Sequence, residues 1–117
     1  MPDHWLFEGS GMKKEDSLQG LVGWEWHGAP AMDLPEMNIV AAGTPFINGK
    51  EMGRYSSTTY DGPRDNVVFN AAPIWWANGL SSPPGHENPR RHGVTQQGPD
   101  ERVQQITHNL FARMVHS

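Results

Sequence analysis

Glu25 and His27 are the pair with the plainest chemical potential in this sequence. They sit at i and i+2 in the run Gly20-Leu21-Val22-Gly23-Trp24-Glu25-Trp26-His27. In a strand that spacing puts both side chains on one face. There a carboxylate and an imidazole could act as a catalytic acid–base pair or supply two metal ligands. Two ligands do not close a metal site, since at least a third is needed. His4, His86 and His92 are present, but no spacing ties them to the pair, so no metal site is assigned. The structural alternative is the polar outer face of an antiparallel strand, with Trp24 and Trp26 on the opposite face.

Five tryptophans form the second group: Trp5, Trp24, Trp26, Trp75 and Trp76. One reading is a stacking platform for a sugar or an amine. The other is core and interface packing, where large rings dominate the buried area. Adjacent Trp75 and Trp76 cannot both face inward from a regular strand, so one of them is expected at a surface, the usual place of an interface anchor. Trp24, Trp26, Trp75 and Trp76 are therefore candidates for ligand or interface contact. Arg90 and Arg91 join them. With His86 and His92 they lie in a loop, SSPPGHENPRRHGVTQQGP, over residues 81–99. Such a set is either an anion clamp, with arginine recognising a carboxylate or phosphate, or a solvated basic loop. The hydroxyl run Ser56-Ser57-Thr58-Thr59 has no Gly-x-Ser-x-Gly elbow beside it, so it reads as an edge-strand surface and not as a nucleophile. Gly9-Ser10-Gly11 lacks the phosphate-loop pattern and reads as a turn.

The elements that must position these residues are mostly short. Alternation predicts a strand over 22–27. Met37 to Ala42 is β-branched at its centre and stops at Gly43, a strand pattern. Asn48-Gly49 predicts a hairpin turn, because both residues tolerate positive φ. Arg54 to Tyr60 is β-prone. Asn66 to Ala72 holds the unbroken run Val67-Val68-Phe69, which suits a strand covered on both faces. Ile74 to Leu80 is a short helical turn or a loop. Residues 81–99 lack an apolar pattern, and a loop of that length is usually functional or mobile. From Asp100 to Val115, Val103, Ile106, Leu110, Phe111 and Met114 recur at helical spacing. Pro99 fits the first helical position, and Asp100 and Glu101 fit the positive end of the helix dipole. The expected fold is α+β: a mixed or mostly antiparallel sheet of about five strands with one long C-terminal helix packed on it.

Composition bounds the rest. At 117 residues the chain is read as one small domain, spanning 1–117. Thirteen Gly and ten Pro make about a fifth of it, above the average of roughly 12%, so many turns are expected. Zero Cys removes disulfides and thiol catalysis. A net charge of −4 gives no support to nucleic-acid binding. No apolar run is long enough for a membrane span, and the N-terminus, MPDHWLFEGSGMKKED, does not read as a signal peptide. A cytoplasmic location is expected.

The order of segments is similar to a known family. HWLFEGSGMKKEDSLQGLVGWEWHG, then MNIVAAGTP, then YSSTTYDGPRDNVVFNAAPIWWANGLSSPPG, then DERVQQITHNLFARM resembles the C-terminal part of the N,N-dimethylformamidase large-subunit family. The resemblance runs over residues 4 to 114. It is most specific around Glu25, from Val67 to Trp76, and along Arg102 to Met114. It implies the closing part of a class I glutamine-amidotransferase-like α/β layer. It also implies an ancestry in hydrolysis of N-substituted formamides to formate and an amine, on an iron held by two Tyr and one Glu. Those ligands belong upstream of this segment in the family, so none is carried onto Tyr55, Tyr60 or Glu25. The family's full enzyme is several-fold longer, and a piece of such a layer leaves strand edges and a face to be closed. Three functions follow as expectations. The first is a non-catalytic structural or interaction module without a cofactor, joined to a second copy or to a partner subunit. The second is a small amidohydrolase or amidohydrolase subunit using Glu25 and His27, with iron as cofactor on the resemblance alone. The third is a domain binding an amine, amide or sugar through its tryptophans.

Overall fold

The computed structural model describes residues 1–23, 25–30, 32, 34–88 and 98–116. Among these residues, a 3-10 turn at Trp5–Phe7 is followed by five strands: β1 (Met37–Gly43), β2 (Phe46–Ile47), β3 (Lys50–Glu51), β4 (Tyr55–Asp61) and β5 (Val67–Asn70). A second 3-10 turn, Trp76–Gly79, precedes the helix α1 (Glu101–Val115). The fold is α+β, and every strand pair is antiparallel. The five strands divide into a three-stranded sheet, ordered β1-β4-β5, and a two-stranded hairpin, β2-β3. Thr44-Pro45 separates them, because a buried proline right after β1 cannot continue a ladder. In the hairpin, Asn48 (φ 52°) and Gly49 (φ 74°) both lie in the left-handed region, as the Asn-Gly pair predicts.

Two expectations about the sheet need correction. The hydroxyl run is not an edge: β4 is the central strand, and Ser56, Ser57 and Thr59 are buried. Their polarity is absorbed locally, with the Ser57 hydroxyl donating to the Ala71 carbonyl at 2.7 Å. β5 is the edge strand, and it is not covered on both faces, since Val67 is buried while Val68 is exposed.

The described residues of 22–27 form no strand either; they make one isolated bridge, Trp26 with Pro73. Proline offers no N–H to extend the ladder, and Gly23 sits flush against the Trp75 indole, where a side chain would have no room. The bridge is set up by Ala72, held at φ 75° and capped by the Asn70 side chain, which accepts its N–H at 2.9 Å.

The core forms where the first 3-10 turn, the sheet and α1 meet. Leu6, Val40 and Ile106 are its fully buried centre, ringed by Trp5, Phe7, Phe69, Trp76 and Leu110. Val40 reaches that centre on the face opposite Ile39, at a bulge in β1 between Ile39 and Ala41. The helix begins two residues later than Pro99 suggests, at Glu101. Asp100 is the N-cap, accepting the Arg102 N–H at 2.9 Å and binding its guanidinium at 2.7 Å. That guanidinium holds the Asp100 carboxyl below the usual carboxylate range. Asp100→Ala is expected to cost about 1 kcal/mol, the worth of an N-cap, as read by urea unfolding. Gly79 is packed directly on α1, where a Cβ would meet Val103 at 2.7 Å. Gly79→Ala is expected to destabilise by about 1–3 kcal/mol through overpacking, seen as a lowered thermal midpoint.

Candidate functional site

Glu25 and His27 flank the Trp26 bridge, and both are exposed. The His27 backbone is tied on both sides: its N–H donates to Ala72 and its carbonyl accepts from Ser56, each at 3.1 Å. Trp26 lies along Gly53, with its indole N–H on the Arg54 carbonyl at 3.0 Å. Trp75 is half-buried against Gly23. Trp76 is half-buried too, edge-on to Phe69 and donating to the Thr107 hydroxyl at 3.0 Å. Trp26, Trp75 and Trp76 thus act as packing braces between elements. Trp24, Arg90, Arg91 and His92 lie outside the described residues. His86 binds the buried Asn78 side chain at 2.9 Å. Among the described residues, no group of three or more His, Asp or Glu converges to hold a metal.

A polar node that the sequence reading missed lies between the first 3-10 turn and the end of β4. The His4 Nδ1 accepts the Leu6 N–H at 3.3 Å, capping the turn. That leaves the proton of the neutral ring on Nε2, directed to the buried Thr59 hydroxyl at 3.4 Å. His4, Trp5, Glu8, Asn38, Asp61 and Arg113 line a cleft of about 440 Å³ here. Asn109 on α1 clasps the turn, donating to the Leu6 and Glu8 carbonyls at 3.0 and 2.7 Å. His4 directly before the apolar Trp5-Leu6-Phe7 was the available sequence signal.

Burial, and then the nearby N-terminal ammonium, hold the His4 imidazole below its ordinary value of 6.5, with Asp61 pulling the other way. A histidine with a lowered folded value is protonated first in the unfolded chain. Its stabilising contribution is therefore complete above 6.5 and is lost as pH falls through the folded value. His4→Asn keeps a capping acceptor and removes the titration, so its stability is expected to vary less with pH between 7 and 5 than the wild type's. Urea midpoints at a series of pH values measure this.

Two surfaces of the sheet remain. Behind it, a groove of about 1020 Å³ runs between β1, the hairpin and residues 12–22, with Tyr55, Phe69 and Trp76 in its wall. In front, among the described residues, lies a face on which Ile39 and Val68 are exposed and Met37, Thr58, Tyr60 and Asn70 are half-buried. The register aligns Met37, Tyr60 and Val68 across all three strands, with Ile39, Thr58 and Asn70 in the next row. Ile39 is 45% exposed and Val68 36%. An antiparallel sheet that meets water on one side normally shows polar side chains there. This face instead shows Ile39 and Val68 to solvent and carries no charge in either row. The far end of α1 repeats the pattern: Val103 and Ile106 are buried, whereas Phe111, Met114 and Val115 are exposed.

A family model described as N,N-dimethylformamidase beta subunit-like, C-terminal, matches residues 1–91. That span holds both 3-10 turns, both sheets and the apolar face. No curated protein and no solved structure matches the chain.

Proposed function

The chain belongs to the N,N-dimethylformamidase beta subunit-like C-terminal family, and from that premise we propose that it works as a non-catalytic interaction module that associates with itself. The uncharged face of β1, β4 and β5, with Ile39 and Val68 exposed, carries this reading. A surface without charges meets an identical surface without like-charge repulsion, and a two-fold axis makes one patch serve as both halves of an interface. Burying side chains such as Ile39 and Val68 stabilises the assembly by the usual hydrophobic gain. A second copy covers this face. The exposure of Glu25 and His27 supports the same reading, because catalytic acids and bases gain their tuned strength from burial and close partners.

Light scattering on purified protein tests the proposal. The expected result is a mass above 13.1 kDa that rises with concentration across the micromolar range. A constant monomer mass contradicts it.

The groove behind the sheet favours a second reading, a site for a small amine, amide or sugar. Trp76 lines it and reports on it. Tryptophan fluorescence titrated with those compounds is expected to change if the groove is occupied, and a flat response to all of them removes this reading.

A further inference from the structure

The sequence holds two Asn-Gly pairs, Asn48-Gly49 and Asn78-Gly79, and the fold treats them in opposite ways. We propose that Asn48-Gly49 is a self-modification site at which the protein deamidates, while Asn78-Gly79 is held inert by its packing.

The chemistry needs only water. The Gly49 backbone nitrogen attacks the Asn48 side-chain carbonyl carbon, Cγ. A C–N bond forms and closes a five-membered succinimide. The bond from Cγ to Nδ2 breaks, and ammonia departs with the proton that the Gly49 nitrogen has lost. Water then opens the ring at one of its two carbonyls. The product is aspartate, or isoaspartate in which the main chain runs through the former side chain. The balance is one water consumed and one ammonia released, with no oxidant or cofactor.

Three features expose Asn48. Both residues of the pair are exposed at the hairpin tip. Nothing lies within 4 Å of the place where a Gly49 Cβ would sit, so the approach of the two groups meets no steric bar. The Gly49 N–H also makes no hydrogen bond to the described residues. The hairpin itself is held by two residue pairs, Phe46 with Glu51 and Ile47 with Lys50, and by the Met52 N–H on the Pro45 carbonyl at 3.0 Å. A two-stranded hairpin this short is marginal alone, and such segments open locally at low cost in free energy. Opening frees the turn to adopt the geometry that the attack requires.

Asn78 is the opposite case. It is 5% exposed. Its side-chain nitrogen donates to Asn88 at 2.8 Å, and its side-chain oxygen accepts from His86 at 2.9 Å. The following Gly79 is pressed against Val103. The amide therefore cannot rotate toward the Gly79 nitrogen without breaking these contacts. A third pair with related reactivity, Asp61-Gly62, has its glycine N–H occupied by the Asn66 carbonyl.

Isoaspartate at position 48 lengthens the main chain inside a two-residue turn. It adds a negative charge beside Lys50 and disturbs the pairing of Ile47 with Lys50. Phe46, Ile47 and Asn48 form one wall of the large groove, so the modification alters that wall and leaves the buried core alone.

The test incubates the folded full-length protein at mildly alkaline pH and, in parallel, the same protein unfolded in urea. Peptide mapping by mass spectrometry, with isoaspartyl methyltransferase and labelled methyl donor as the probe, then reads positions 48 and 78. In the folded protein, conversion at Asn48 is expected to exceed that at Asn78 by about tenfold or more, the ratio set by their difference in local opening. In urea the two are expected to convert at similar rates. Asn48→Gln is expected to abolish the folded-state signal. Equal conversion at both positions in the folded protein overturns the proposal. So does a folded Asn48 that stays intact while the urea-treated chain converts.

Discussion

Leu6→Ala is expected to lower stability by about 2–5 kcal/mol, the range for deleting a buried leucine side chain. A small domain has only about 5–15 kcal/mol in total, so this is a large effect for one core residue. Leu6 is fully buried and packs with Val40 and Ile106 at the meeting point of three elements. Its backbone is equally committed. The N–H is bound by the His4 ring and the carbonyl by Asn109. Removing the side chain leaves a cavity under the N-terminal turn, and the turn has no other apolar anchor that is fully buried. Urea unfolding measures the loss. A loss below 1 kcal/mol would show that Leu6 is not the keystone of the core.

The second large effect concerns association. Val68→Asp places a charge on the edge strand of this face, in the row shared with Tyr60 and Met37. Val68 is exposed in the single chain, so folding stability is expected to change by no more than about 0.5 kcal/mol. Two faces meeting about a two-fold axis would bury two such charges with no partner, which is strongly unfavourable. Association is expected to weaken by about tenfold or more, the effect of losing an interface anchor. Sedimentation velocity on the variant and the wild type measures it. Phe111→Asp, at the exposed end of α1, is the matched control and is expected to leave association unchanged. Loss of association in Phe111→Asp alone would move the interface to the helix.

Much of the fold was legible because its signals are local. β1, β4, β5 and α1 follow β-branched runs and a 3.6-residue period, and the Asn48-Gly49 turn follows from backbone preference alone. What was not legible depends on distant partners. Thr59 and His4 are 55 residues apart in sequence, and neither residue type announces the pairing. The burial of Ser56, Ser57 and Thr59 follows from strand order, which places β4 in the centre. No spacing in the sequence encodes that order. The strand expected over 22–27 failed at Pro73 and Gly23, both of which act through contacts with residues far along the chain. For the candidate site, the sequence marked the aromatic residues as interface material. The structure uses Trp26, Trp75 and Trp76 for internal bracing and leaves Ile39 and Val68 uncovered instead. Alternation hid these two, because an apolar residue on the outer face looks the same in sequence as one on the inner face.

Amide and methyl NMR shifts followed across a dilution series test the interface most directly, because they locate association residue by residue. Concentration-dependent changes centred on Met37, Ile39, Tyr60 and Val68, with α1 unaffected, are the predicted result. Spectra that do not change with concentration, or changes confined to Phe111, Met114 and Val115, would contradict the assignment of that face.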